Sequence, residues 1–275
     1  MDASRESGRH LRGRGEEIAR GAVLAEAGDR VGPGLIGLAR TLGLAQLTVI
    51  APPRVSVLVT GDELTEDAAP GQEGTVRESN GTMLAAALAA DGCTARMLRS
   101  GDDPTALAEV LAEAERDADL VLTTGGIGHG AYDVVKELLG ARGRGSSEFV
   151  HLALRPGGPQ GAGRLPGGTP VVHLPGTPVG ALVGYHLFVR PLLPGDAIAP
   201  HRLALEDPEG LVARSRRRDG LVVLAGRAVT GEQGRRAVQL LPGRRMAPYG
   251  RADALVLGGA AADTGAESTA LVVPL

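Results

Sequence analysis

The chain has 275 residues, 43% of them hydrophobic and 22% charged, enough to build one large core or two modest ones. Aromatic residues are 2% of the chain, there is no Trp, and the formal net charge is -3. Those figures exclude general attraction to nucleic acid or anionic lipid and recognition by base stacking. Cys93 is the single cysteine, which excludes an intrachain disulfide and a Cys-based zinc or redox motif. No apolar run reaches the ~18 residues of a membrane span, and the first twenty residues lack the apolar core of a secretory signal. The expectation is a cytoplasmic protein.

Residues 1–15 are charged and Gly-rich, and read as disordered. A short irregular unit follows from Gly15 to Ile50, with a small helix near Leu35–Leu42 and an apolar run at Leu47–Ile50. The first 50 residues are thus expected to form a tail and a small packing segment, ended by the linker Ala51-Pro52-Pro53-Arg54. Val55–Thr60 is a β-rich run ending in Gly61, as a buried strand ends. Ser79–Ala90 predicts a helix, and Ala95–Leu98 a weaker strand. Asp103-Pro104 supplies an N-cap and a first-turn proline to a helix carrying Leu107, Val110, Leu111 and Ala114 on one face.

Asp119–Thr124 predicts a third strand, running into Gly125-Gly126, and Ala131–Leu139 another helix. Val150–Leu154 and Pro170–Leu174 are further strands, and Thr177-Pro178 caps and starts a last helix to Val189. Strands alternating with helices imply parallel pairing with helices on both sheet faces, so residues 51–196 are expected to form an α/β three-layer sandwich with a mainly parallel sheet. From 197 to 275 the runs Leu221–Leu224, Ala237–Leu241, Ala254–Leu257 and Ala270–Val273 predict a small all-β domain, sandwich or barrel. The arginine clusters at Arg214–Arg218, Arg235–Arg236 and Arg244–Arg245 read as a solvated polar face.

Ligands of open α/β sheets bind at the carboxyl ends of the strands. Four Gly- and Pro-rich segments fall there: Thr60-Gly61-Asp62-Glu63, Thr123–Gly130, Arg155–Pro159 and Leu174–Pro178. Glycines let a ligand approach the backbone, and helix starts attract anions. His151, His173 and His186 lack metal-ligand spacing and read as core or surface residues, whereas His129 falls in the second segment. Ser79 has no His or Asp partner in sequence, and Lys136, the only lysine, reads as a surface charge.

The ordered set Thr60-Gly61-Asp62-Glu63-Leu64, Val76-Arg77-Glu78-Ser79-Asn80, Gly101-Asp102-Asp103-Pro104, Asp119–Gly126, Gly130-Ala131-Tyr132-Asp133, Arg155-Pro156-Gly157 and Leu174–Val179 resembles the molybdopterin molybdenumtransferase family, the MoeA type related to the E domain of gephyrin. The resemblance runs from about Gly15 to Pro194, and more loosely through the C-terminal β unit. It implies insertion of molybdate into adenylylated molybdopterin, with release of AMP and help from Mg²⁺.

By that resemblance Asp133 is the main catalytic and metal-binding carboxylate, Glu78 a second catalytic carboxylate, and Glu63 a further metal ligand. Thr60, Gly61, Asp62, Ser79, Asn80, Thr124, Gly125, Gly126, Gly128, Gly130, Arg155, Pro156, Pro175, Gly176, Thr177 and Pro178 are implied to bind the pterin nucleotide. The chain departs from the family pattern where Glu78 replaces Asp, Gly128 replaces Ser, Gly158 replaces Lys, Thr177 replaces Asn and Gly180 replaces Ser. Two further family domains are almost wholly absent. Three readings follow: a shortened transferase, a pterin-nucleotide-binding module without turnover, and a partner of a full-length homologue. The first and third imply a homodimer or a mixed dimer with that homologue.

Overall fold

A computed structural model describes residues 13–65, 74–128, 133–141, 143–195, 199–215, 220–231, 234–259 and 269–275. The expectations for residues 1–12, His129, Gly130, Ala131, Tyr132 and Arg216–Arg218 lie outside them. The chain divides into two units, Met1–Ala51 and Pro52–Leu275. In the first, Pro33–Thr41 forms α1 behind an extended Gly32, with proline at the N-terminal turn where its missing N–H costs nothing.

The second unit opens with β1 (Arg54–Thr60), whose residues from Val55 onward are buried. It continues with β2 (Leu64–Thr65), β3 (Val76–Arg77), α2 (Asn80–Ala90), β4 (Thr94–Ser100), α3 (Pro104–Glu115) and β5 (Leu120–Thr124). Then follow α4 (Val134–Leu139), β6 (Ser147–His151), β7 (Leu154–Arg155), β8 (Pro159–Arg164), β9 (Pro170–Leu174) and α5 (Pro178–Gly184). One six-stranded sheet has the order β4-β1-β5-β9-β8-β6. Its first four strands are parallel and the last two pairings antiparallel, so the sheet is mainly parallel.

Alternation along the strands sends side chains to two cores. Val55 and Val57 of β1 join Leu84 and Leu88 of α2 and Ala181 of α5 on one face. Leu58 joins Leu107 and Leu111 of α3 and Val134, Val135 and Leu139 of α4 on the other. Helices therefore cover both faces, giving the three layers expected. Asp103 caps α3 by accepting from the Ala106 amide at 2.8 Å.

Four details of this sheet and its helices differ from the sequence reading. The strand placed at Val150–Leu154 is split into β6, beginning three residues earlier, and β7, which pairs with the second sheet. β8, Pro-Gln-Gly-Ala-Gly-Arg, has a composition that reads as loop. Its glycines are needed because a Cβ at Gly161 would lie 2.6 Å from the Phe149 ring, which instead stacks on His173 at 4.8 Å. The last helix leaves α-geometry after Gly184, continuing as a π-turn at Tyr185–Val189 and a 3₁₀ turn at Arg190–Leu192. Thr177 occupies its N-cap position, but its hydroxyl makes no capping bond.

The C-terminal strands are β10 (His201–Leu205), β11 (Leu221–Thr230), β12 (Arg236–Leu240), β13 (Ala254–Gly259) and β14 (Thr269–Pro274). Their pairing order β12-β10-β14-β13-β11, with β11 also bonded to β12, closes a five-stranded barrel. The region is not wholly β: α6 (Pro208–Ser215) and α7 (Met246–Tyr249) accompany it. Leu211 of α6 joins the interior, with Val222, Leu224, Val238, Val256 and Val272. The outer residues Val223, Leu255 and Val273 pack with Val179, Leu182 and Val183 of α5. Helix α5 thus serves two cores at once, which explains why Val179–Gly184 is buried all round.

Candidate active site

Strands β1, β5 and β9 run parallel and side by side, so Thr60, Thr124 and Leu174 end at one edge. The loops leaving them enclose a cavity of about 560 Å³. Of the residues implicated by resemblance, Thr60, Gly61, Glu63, Glu78, Ser79, Asn80, Thr124, Gly125, Gly126, Gly128, Asp133, Pro175, Gly176, Thr177 and Pro178 line it. Asp62, Arg155 and Pro156 do not. Arg155 lies exposed in β7, paired beside β11, and the cavity wall is made by Gly157 and Pro159 instead.

Asp62 has a different duty. Its carboxylate accepts from the Asp102 amide at 3.1 Å, while Asp102 accepts from the Asp62 amide at 3.3 Å. This reciprocal pair ties the loop after β1 to the loop after β4, and it places Asp102 in the cavity wall. Arg77, in the same motif as Glu78, is the one basic residue among the described lining residues. Neither Arg77 nor Asp102 stands out in sequence by itself. The signal was their place inside the motifs Val76–Asn80 and Gly101–Pro104.

The loops interlock closely. Gly125 has φ +99°, and a Cβ there would lie 2.7 Å from the Thr60 carbonyl oxygen, so only glycine lets the β1 and β5 loops meet. Asn80 Nδ2 donates to Thr124 Oγ1 at 2.9 Å and to the Gly176 carbonyl at 2.8 Å. Thr124 Oγ1 donates in turn to the Pro175 carbonyl at 3.0 Å. The ends of β5 and β9 and the start of α2 are thereby joined through buried side chains, where each bond is worth more than at a wet surface.

The carboxylates are partly engaged. Asp133 is half-buried, and its Oδ1 accepts from the Gly128 amide at 2.9 Å. Glu78 Oε1 accepts from the Gly81 amide at 2.8 Å, capping the first turn of α2. Each keeps a second oxygen beyond that bond. With Glu63 and Asp102, four carboxylates and one guanidinium line the described cavity. Among the described residues no three His, Cys, Asp or Glu side chains gather as a metal cluster.

His173 lies outside the cavity, between Thr123 Oγ1 at 2.8 Å and Ser147 Oγ at 2.9 Å. Burial pushes its imidazole down to about 3, so it is a neutral core residue, as expected from sequence. Among the described residues no helix is long and apolar enough to cross a membrane.

Residues 56–195 match the family described as "Probable molybdopterin binding domain". Molybdopterin molybdenumtransferase 2 of Mycobacterium tuberculosis is 43% identical over 208 residues, covering 72% of this chain and 51% of its own length. Molybdopterin molybdenumtransferase of Bacillus subtilis is 32% identical over 200 residues, covering 68% of this chain and 44% of its own. The chain therefore spans about half the length of these curated relatives. The crystal structure of the molybdopterin biosynthesis MoeA protein from Pyrococcus horikoshii superposes with a TM-score of 0.68 at 22% identity, covering 94% of this chain and 64% of that one, a likeness of fold. With the family match spanning just over half of the chain, the protein belongs to the molybdopterin-binding domain family, as a MoeA-like relative of the molybdopterin molybdenumtransferases.

Proposed function

We propose that the cavity binds adenylylated molybdopterin and that the chain acts in molybdenum cofactor biosynthesis, inserting molybdate with release of AMP. The observation that carries this reading is the convergence of Asp133, Glu78, Asn80 and the Gly125–Gly128 and Pro175–Pro178 loops on one cavity at the strand ends. These segments are separate in sequence, and a family-type ligand would need them together.

The chain's own residues divide the work. Asn80 and Thr124 hold the loops in register. The Gly128 amide orients Asp133, and Arg77 supplies positive charge for an oxyanion. Mg²⁺ is ordinarily held by one or two carboxylates, with water and substrate phosphate completing its shell. Asp133 and Glu63 are two carboxylates on one cavity, and they fit a cation that arrives with a phosphate-bearing substrate. When bound, that cation would neutralise charge on the phosphoanhydride.

A binding module without turnover is the second reading, and position 158 favours it. A Cβ at Gly158 would lie 2.7 Å from His151 Nε2, so the imidazole occupies the space where the family's second lysine would start. Molybdate-dependent AMP release by the wild-type protein separates the readings, and Asp133→Asn tests the site. The transferase loses molybdate-dependent AMP release while still binding the nucleotide; unchanged release would remove Asp133 from the site. Activity appearing only after mixing with a full-length homologue would assign the chain a partner role instead.

A further inference from the structure

Asn80 is 7% exposed and lines the cavity at the first turn of α2. The orientation of its amide is fixed by its neighbours. The Gly176 carbonyl can only accept, and the Thr124 hydroxyl, having given its proton to the Pro175 carbonyl, accepts as well. Both therefore require Nδ2, and a flipped amide would set oxygen against the Gly176 oxygen. Asn80 Oδ1 is left as a buried acceptor with no donor among the described residues. Two other buried oxygens lack partners among the described residues, on Ser146 and Gln160, and both residues lie outside this cavity. Leaving such an acceptor unpaired is costly, so a ligand that brings a donor to it gains over one that does not.

We infer that Asn80 Oδ1 is a specificity determinant, accepting a hydrogen bond from the exocyclic amine of the ligand's planar heterocycle. The inference rests on the pterin-nucleotide reading above and adds an orientation to it. Molybdate and the diester phosphates of an adenylylated ligand carry no proton at neutral pH, so they cannot satisfy this oxygen. An amine on this oxygen sets the heterocycle against the β5 and β9 loops. Gly125 and Gly176 present bare backbone in that wall: a Cβ at Gly176 would lie 3.3 Å from the Gly125 Cα, which leaves these two glycines in close contact and suits a flat ring. A pterin and an adenine both carry an exocyclic amine, and the ligand offers both.

The test is equilibrium binding of two pairs of probes, pterin against its 2-oxo analogue lumazine and AMP against its 6-oxo analogue IMP. Wild type is expected to prefer the amine-bearing member of one pair by about tenfold, the scale of one well-made hydrogen bond. Preference in the first pair assigns the pterin amine, and in the second the adenine amine. Asn80→Ala should bring that ratio to one. Asn80→Asp keeps an acceptor at the same place and should retain the preference, though its melting midpoint falls with the lost Thr124 and Gly176 bonds. A purely structural Asn80 would weaken both members equally and leave the ratio intact. An unchanged ratio in Asn80→Ala, or no preference in wild-type protein that binds, overturns the inference. Failure of all four probes to bind wild type would count instead against the pterin-nucleotide reading.

Discussion

The Gly128 amide donates to Asp133 Oδ1 at 2.9 Å, and a Cβ at position 128 would lie 3.5 Å from that same oxygen. This is ordinary contact, so the space for a serine, the residue usual in the family, is still there. Gly128→Ser should fold with an unchanged melting midpoint. By adding a hydroxyl to the cavity wall, it should raise nucleotide affinity about fivefold, the worth of one neutral hydrogen bond. Calorimetric titration checks both parts.

Thr177 and Gly180 depart from the family pattern together, and the structure links them. A Cβ at Gly180 would lie 2.6 Å from Thr177 Oγ1 and 3.0 Å from the Pro175 Cβ, inside a helix buried all round. Gly180→Ala should cost about 1–3 kcal/mol by overpacking. Removing the hydroxyl in a Thr177→Ala/Gly180→Ala pair should recover part of this, with the Pro175 contact remaining. A double-mutant cycle in urea reads the coupling.

Acid should destabilise the fold through its buried histidines. Burial lowers His173 to about 3; burial and then Arg190 lower His186 to about 4, against the opposing pull of Asp91. Unfolded, both titrate near 6.5, so between about 6.5 and 3 the unfolded chain binds more protons. Their contribution is whole above pH 6.5 and is lost as pH falls through that window. His173→Asn should be less stable at neutral pH but show a shallower fall in melting midpoint from pH 6.5 to 4.

Asp91 joins the helical layer to the barrel. It accepts from Tyr185 Oη at 2.6 Å and from Arg190 Nε at 2.9 Å, and Arg190 reaches the Pro274 carbonyl at 2.7 Å. The Asp91 and Arg190 side chains are only 14% and 17% exposed. Removing one partner of so buried a pair leaves the other charge uncompensated, and Asp91→Ala should cost about 3 kcal/mol. Denaturant unfolding would show it.

Legibility followed local physics. β1, β5 and β9 were plain because buried parallel strands are continuous apolar runs, and α3 because Asp103-Pro104 marks its start. β8 was hidden because Phe149 supplies the bulk that its glycines lack, a cross-strand property. β10 and the two barrel helices were missed for want of a strong periodic signal. At the site, motif order brought most cavity residues together. The exchange between Asp62 and Asp102 was invisible, because adjacent acids in a loop carry no sign of which backbone amide each will accept.

The most direct measurement is AMP release from adenylylated molybdopterin with Mg²⁺, with and without molybdate. Molybdate-dependent release that is lost in Asp133→Asn is the expected result. Bound substrate without release would contradict the transferase reading and leave the chain a binding module.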